Sequence, residues 1–72
     1  DIYHCGLLLL QMALGRRLRF TNDEILDGAP RRLALTLAEP QRSAIERALR
    51  RHVEHRTPTA RDLWLDIKGR RA

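Results

Sequence analysis

Few side chains in this sequence could carry chemistry, and their spacing argues against most of it. His52 and His55 stand three apart, a separation that some metal sites use on a helix. No cysteine pair accompanies them, and helical spacing turns the nearest acid, Glu54, to another face. The two histidines therefore read as surface groups near a helix end, and no metal ligand set is assigned. Cys5 follows His4 directly, but adjacent helical positions point about 100° apart, so the pair is not a nucleophile and its base. Cys5 reads instead as a small buried apolar group. Ser43 has no histidine nearby and lies where a helix begins. Gly6, Gly15, Gly28 and Gly69 are isolated, so no glycine-rich loop cradles a phosphate. Asp1, Asp23, Glu24, Asp27 and Asp62 read as helix caps and surface charges. Spacing alone assigns no catalytic residue.

The elements that position these residues are helical. From Ile2 to Leu14 apolar side chains cover every face, which is the pattern of a buried helix. Gly15 supplies a left-handed C-terminal cap, and Arg16 and Arg17 suit the negative end of the dipole. Thr21 and Glu24 form a capping box for a short helix that ends at Gly28, with Pro30 beyond it. Residues 31–39 read as a turn of helix or an irregular linker. Pro40 suits the first turn of the next helix, whose inner face is Ile45, Ala48, Leu49 and His52. Glu46 and Arg50 are an i,i+4 pair of favourable polarity. Thr57-Pro58-Thr59 breaks that helix and starts the last one. There Ala60, Leu63, Trp64 and Ile67 make a stripe that Gly69 closes. The expected fold is all-α, three main helices plus a short one, in a single partial domain spanning residues 1–72.

Composition sets limits on what this domain does. Seventy-two residues lie near the lower limit for an unstapled core. They cannot wrap the first helix completely, and the chain opens at Asp1, so the sequence reads as a piece of a longer protein. The net charge of +5 is almost all arginine and is spread over the chain, at Arg16, Arg17 and Arg19 and at the pairs Arg31-Arg32, Arg50-Arg51 and Arg70-Arg71. Nucleic-acid binders concentrate such charge on one face and add stacking rings, and only Tyr3, Phe20 and Trp64 are large aromatics here. Helix-end and solvated roles are preferred over nucleic-acid binding. The apolar stretch from Gly6 to Leu14 falls short of the about 20 residues that span a bilayer, so no membrane partner is expected. Cys5 is alone, so no internal disulfide forms, and a reducing, cytoplasmic location is expected.

One family matches the order of these elements. The segment Asp1-Ile2-Tyr3-His4-Cys5-Gly6, followed by apolar residues, Gln11, Met12 and a closing Gly15-Arg16, resembles the long buried helix of eukaryotic-type serine/threonine protein kinases. That helix typically reads Asp, apolar, aromatic, Ser, apolar, Gly, a run of apolar residues with Glu, then Gly-Arg. Ala44-Ile45 and Ala48-Leu49, then Arg56-Thr57-Pro58-Thr59-Ala60 and Leu63, resemble the penultimate helix and the Arg-Pro-Thr-Ala element. The likeness covers essentially the whole chain in order. It departs at Gln11, where many members carry Glu, at His4, at the inserted Thr57, and in a short stretch from Leu18 to Glu39.

The resemblance implies the helical C-terminal end of a kinase catalytic domain, with structural roles for Asp1, Gly6, Leu8, Met12, Arg56 and Thr59. Asp1 would accept hydrogen bonds from a catalytic loop upstream. Leu8 and Met12 would support the hydrophobic column beneath the adenine of ATP. Arg56 would, by the resemblance, pair with the Glu that ends the activation segment, and neither it nor Asp1 has an obvious mate in this chain. Thr59 would cap the last helix, and Gln11 is a substrate-contact candidate. Phosphoryl transfer needs a glycine-rich loop, a nucleotide-pairing Lys, a catalytic Asp and a metal-binding Asp, and none of these motifs occurs here. The fragment is thus non-catalytic and holds no cofactor of its own. ATP and Mg belong to the parent, which is an active or a degenerate kinase. Its partners are the remainder of the kinase domain and a protein substrate. Two other readings stay open: a small basic nucleic-acid-binding module, and an interaction module that self-associates through Leu7 to Leu10.

Overall fold

The computed structural model describes residues 1–69, and the Arg70-Arg71 pair lies outside them. Among the described residues the chain forms five α-helices, one 3-10 turn and no strand. Helix α1 (Ile2–Leu14) starts where Asp1 Oδ1 accepts the Tyr3 N–H at 2.7 Å. It stops at Gly15, whose φ of 71° is the left-handed conformation that glycine adopts without strain. Helix α2 (Asn22–Leu26) has both halves of its capping box: Thr21 accepts from Glu24 N–H, and Glu24 accepts from Thr21 N–H. Helix α3 (Ala29–Ala34) follows at once. The sequence reading ends the short helix at Gly28 and takes 31–39 as a turn of helix or an irregular linker; the structure forms a helix that begins at Ala29, before that stretch, and ends at Ala34. Pro30 sits in the first turn of α3, where a missing N–H takes no bond away, so this proline begins a helix.

Helix α4 (Gln41–Ala48) follows Pro40, and Glu39 caps it by accepting the Ser43 N–H at 2.8 Å. A 3-10 turn (Val53–His55) leads to helix α5 (Ala60–Ile67), which Thr59 caps by accepting the Asp62 N–H at 3.1 Å. The count of three main helices plus one short one therefore becomes three main helices and two short ones. His52 does not share the inner face of α4. The helix ends at Ala48, so its spacing no longer governs position 52, and His52 is exposed.

Helix α4 is the centre of the core. Ala44, Ile45, Ala48 and Leu49 are each 2% exposed or less. One side of α4 joins Leu10 and Ala34, with Tyr3, Leu7 and Leu14 against them. The other side joins Leu63, with Ile2, Cys5 and Ile67 around it. Leu9 touches both clusters. Gly6 sets the distance between α1 and α4. A Cβ built there would lie 3.0 Å from Leu49 Cδ2 and 3.1 Å from Ala48 Cβ.

Two expectations about burial are overturned. Helix α1 is not the most buried element: Gly6 and Leu10 are its buried residues, while Leu8 is 62% and Met12 76% exposed. Its neighbours α3, α4 and α5 reach only part of its circumference, so an apolar surface is left in water. Trp64, expected in the core, is 57% exposed at the rim of α5 and carries the Lys68 ammonium 4.6 Å from its ring centroid.

Substitutions should separate these environments. Gly6→Val places methyls against Ala48, whose Cβ is fixed to the backbone, and should destabilise the fold by about 2–3 kcal/mol. Trp64→Ala should lose only about 1 kcal/mol, because most of the ring is in water in either state. Urea unfolding followed by circular dichroism measures both.

Candidate functional site

The exit of α4 and the start of α1 meet at Arg56. The 3-10 turn delivers Arg56 back beneath residues 50–51, where the chain has left the helix and its carbonyls lack helical partners. Arg56 Nε donates to the Arg50 carbonyl at 2.8 Å, and a terminal nitrogen donates to the Arg51 carbonyl at 3.1 Å. The guanidinium carbon stands 5.4 Å from the centroid of the Tyr3 ring. Burial pushes the Tyr3 phenol above its ordinary pKa, and the Arg56 charge offsets part of that rise. Asp1, Tyr3, Pro30, Leu49 and Arg56 line one cleft of about 370 Å³. Arg56, expected to lack a strong mate in this chain, is held by two carbonyls and a ring. Among the described residues it has no carboxylate partner. Asp1 lies in the same cleft, with its carboxylate on the Tyr3 N–H and 3.6 Å from His4 Nδ1.

A second surface runs between α1 and α5. Leu8 and Met12 from α1 face Leu63, Trp64 and Ile67 from α5 across a groove of about 390 Å³. Cys5 also lines it and is half-buried without a disulfide. The structure therefore brings Leu8 and Met12 together on one open apolar face, away from Gly6, which turns toward α4. Gln11 lies on neither surface. Its amide nitrogen donates to Leu7 O at 3.4 Å and its oxygen accepts from Leu18 N–H at 3.0 Å, tying the segment after α1 back to the helix. Thr59 acts as the expected cap of α5 and also donates its hydroxyl to Asp62 at 2.9 Å.

Some features had no clear signal in the sequence. Thr57, the extra residue in the Arg-Pro-Thr-Ala pattern, is 2% exposed and its hydroxyl lacks a partner among the described residues. Glu46 pairs with Arg50 at 2.9 Å as its spacing suggests, but it also takes Arg31 from α3 at 3.0 Å. Arg47 of α4 meets Asp66 of α5 at 3.1 Å. Burial works against ionisation of Glu46, yet the hydrogen bonds and charges of Arg50 and then Arg31 hold its carboxyl below the usual range. Glu54, read as facing away from the histidines, comes within 4.0 Å of His52 Nδ1.

Among the described residues no group of three or more His, Cys, Asp or Glu side chains is placed to hold a metal. No helix among the described residues is long and apolar enough to cross a membrane. Comparison with known proteins finds no matching family model, no matching curated protein and no matching solved structure.

The Glu46 pairing has a pH signature. A carboxyl whose folded pKa is lowered adds stability above its unfolded value of about 4.3, and that stability is lost as pH falls through the folded value. Acid titration of the unfolding free energy should therefore show a decline below about pH 4 that Glu46→Gln flattens. An unchanged acid limb in the variant would remove Glu46 from that role.

Proposed function

We propose that this chain is the non-catalytic, helical C-terminal part of a serine/threonine protein kinase-like catalytic domain, whose two open surfaces seat the rest of that domain. The observation that carries this reading is the cleft at Arg56. Residues from opposite ends of the sequence, Asp1 and Tyr3 on one side and Arg56 on the other, share it. Arg56 is fixed there by two carbonyls, yet no carboxylate of the described residues answers its charge. A Glu from an upstream activation segment is the complement that the kinase resemblance assigns to it, and a fixed arginine suits a buried ion pair.

The apolar groove supports the same reading. Leu8 and Met12 are the positions that the resemblance places beneath the adenine of ATP, and both are exposed here with Trp64 beside them. In the whole domain they would be covered by elements upstream of Asp1. ATP and Mg would bind that upstream part, in an active or a degenerate parent. Gln11 would touch a protein substrate only by giving up its bonds to Leu7 and Leu18.

A second reading has its own observation. The same groove is apolar along its length, so a second copy could bury it, and the chain would then be a self-associating interaction module. The surface concerned is Leu8, Met12 and Trp64 rather than Leu7 to Leu10, because Leu10 is buried.

The reading frame upstream of Asp1 tests the kinase proposal. It should encode a glycine-rich loop, a nucleotide-pairing Lys and a metal-binding Asp, and an active parent should also have the catalytic Asp. In that parent, Arg56→Ala should cut phosphorylation of a protein hydroxyl and cost about 3–5 kcal/mol of stability by leaving a buried Glu unpaired. An upstream frame without these motifs would overturn the proposal. A concentration-dependent dimer that Met12→Lys disperses would then favour self-association.

A further inference from the structure

A third surface lies where α3 meets the exit of α4. Arg31, Arg50, Arg51, His52 and His55 line a cleft of about 320 Å³, and no carboxylate is among the lining residues. The five come from three places in the chain: α3, the loop after α4 and the 3-10 turn. Two carboxylates stand near. Glu46 is held by Arg31 Nε at 3.0 Å and by Arg50 through Nε and a terminal nitrogen. Glu54 is 4.0 Å from His52 Nδ1 and 72% exposed on its side chain, so it faces mainly water. Two of the three guanidinium groups thus hold Glu46, and the third, Arg51, makes no side-chain ion pair among the described residues.

The loop that carries these groups is fixed. Arg56 takes the carbonyls of Arg50 and Arg51 from the other side, which anchors the backbone from which Arg50, Arg51 and His52 project. The His52 and His55 rings meet edge to face with centroids 5.9 Å apart. A convergent set of N–H donors with excess positive charge fits a compact anion that has several acceptor oxygens in a tetrahedral array. A carboxylate offers two oxygens in one plane, as Glu46 already does, whereas a phosphate dianion offers three or more in different directions.

We propose that this cleft binds a phosphate dianion, either free or carried as a monoester on a side chain. This inference rests on the arginine and histidine geometry alone and stands apart from the kinase reading. Neutral or charged, each imidazole retains an N–H to donate, while the arginines supply the charge.

Nuclear magnetic resonance of the chain at constant ionic strength, above about pH 7 where phosphate is mainly dianionic, tests it. Inorganic phosphate and O-phosphoserine are titrated separately, with chloride as the control. Saturable shifts of the Arg51 side-chain N–H and the His52 and His55 ring signals are expected. Arg51→Gln should raise the dissociation constant about tenfold, the loss of one charged hydrogen bond. Arg17→Gln removes an equal charge from an exposed site outside the cleft and should leave binding unchanged. Comparable affinity for both probes assigns the site to the free anion or any monoester, and preference for O-phosphoserine assigns it to a phosphorylated side chain. Shifts that chloride reproduces, or that both variants weaken equally, would overturn the proposal. So would duplex DNA binding that both variants reduce alike, because it would reflect diffuse charge.

Discussion

The close approach of α1 to α4 at Gly6 is the constraint on which the rest of the molecule depends. Atoms of Ala48 and Leu49 stand only 3.0–3.2 Å from where a side chain at position 6 would begin, and Ala48 has no rotamer by which to retreat. Because the two helices meet there, α4 becomes the central element, with Leu10 and Ala34 on one flank and Leu63 on the other. The same approach brings the first turn of α1 beside the chain leaving α4. Arg56 can then reach the Arg50 and Arg51 carbonyls and lie over Tyr3 at once. A bulkier residue at position 6 would loosen the core and pull apart the Asp1–Arg56 cleft in one step.

The small number of helices decides what remains uncovered. A helix that is apolar on all sides needs neighbours on all sides, and this chain supplies them only on part of α1. The exposed Leu8, Met12 and Trp64 follow from that shortage. Arg56 poses the electrostatic counterpart, a side chain held in place by its own chain but without a carboxylate partner among the described residues. The kinase-like proposal would account for both features at once, with an upstream part of the domain as the partner.

Local chemistry was readable from the sequence and long-range chemistry was not. Asp1, Thr21, Thr59 and Gly15 were legible as caps because each acts on its own helix end, within a few residues of chain. The Glu46–Arg50 pair was legible for the same reason. The end of the short helix before Gly28 was legible, but the helix that starts at Ala29 was not, because Pro30 suits the first turn of a helix as well as a linker. Trp64 misled because its stripe predicts which side of α5 is apolar, not how far α1 extends to cover it. Arg31–Glu46 and Arg47–Asp66 join different helices, so no spacing rule marks them. Of the candidate site, the helix positions of Leu8 and Met12 could be read, while the fixing of Arg56 by two carbonyls needed the fold.

The claim that the α1 face is a docking surface for the rest of a larger domain can be tested at Met12, the single methionine of this chain, which is 76% exposed. Peroxide converts an accessible methionine to its sulfoxide, and mass spectrometry of the peptide containing Met12 gives the rate. In the 72-residue chain the rate should approach that of free methionine. In the longer polypeptide carrying the segment upstream of Asp1 it should fall at least about tenfold, since oxidation would then wait on local opening. Equal rates in the two would contradict the account and leave α1 with an exposed face that the larger protein does not use.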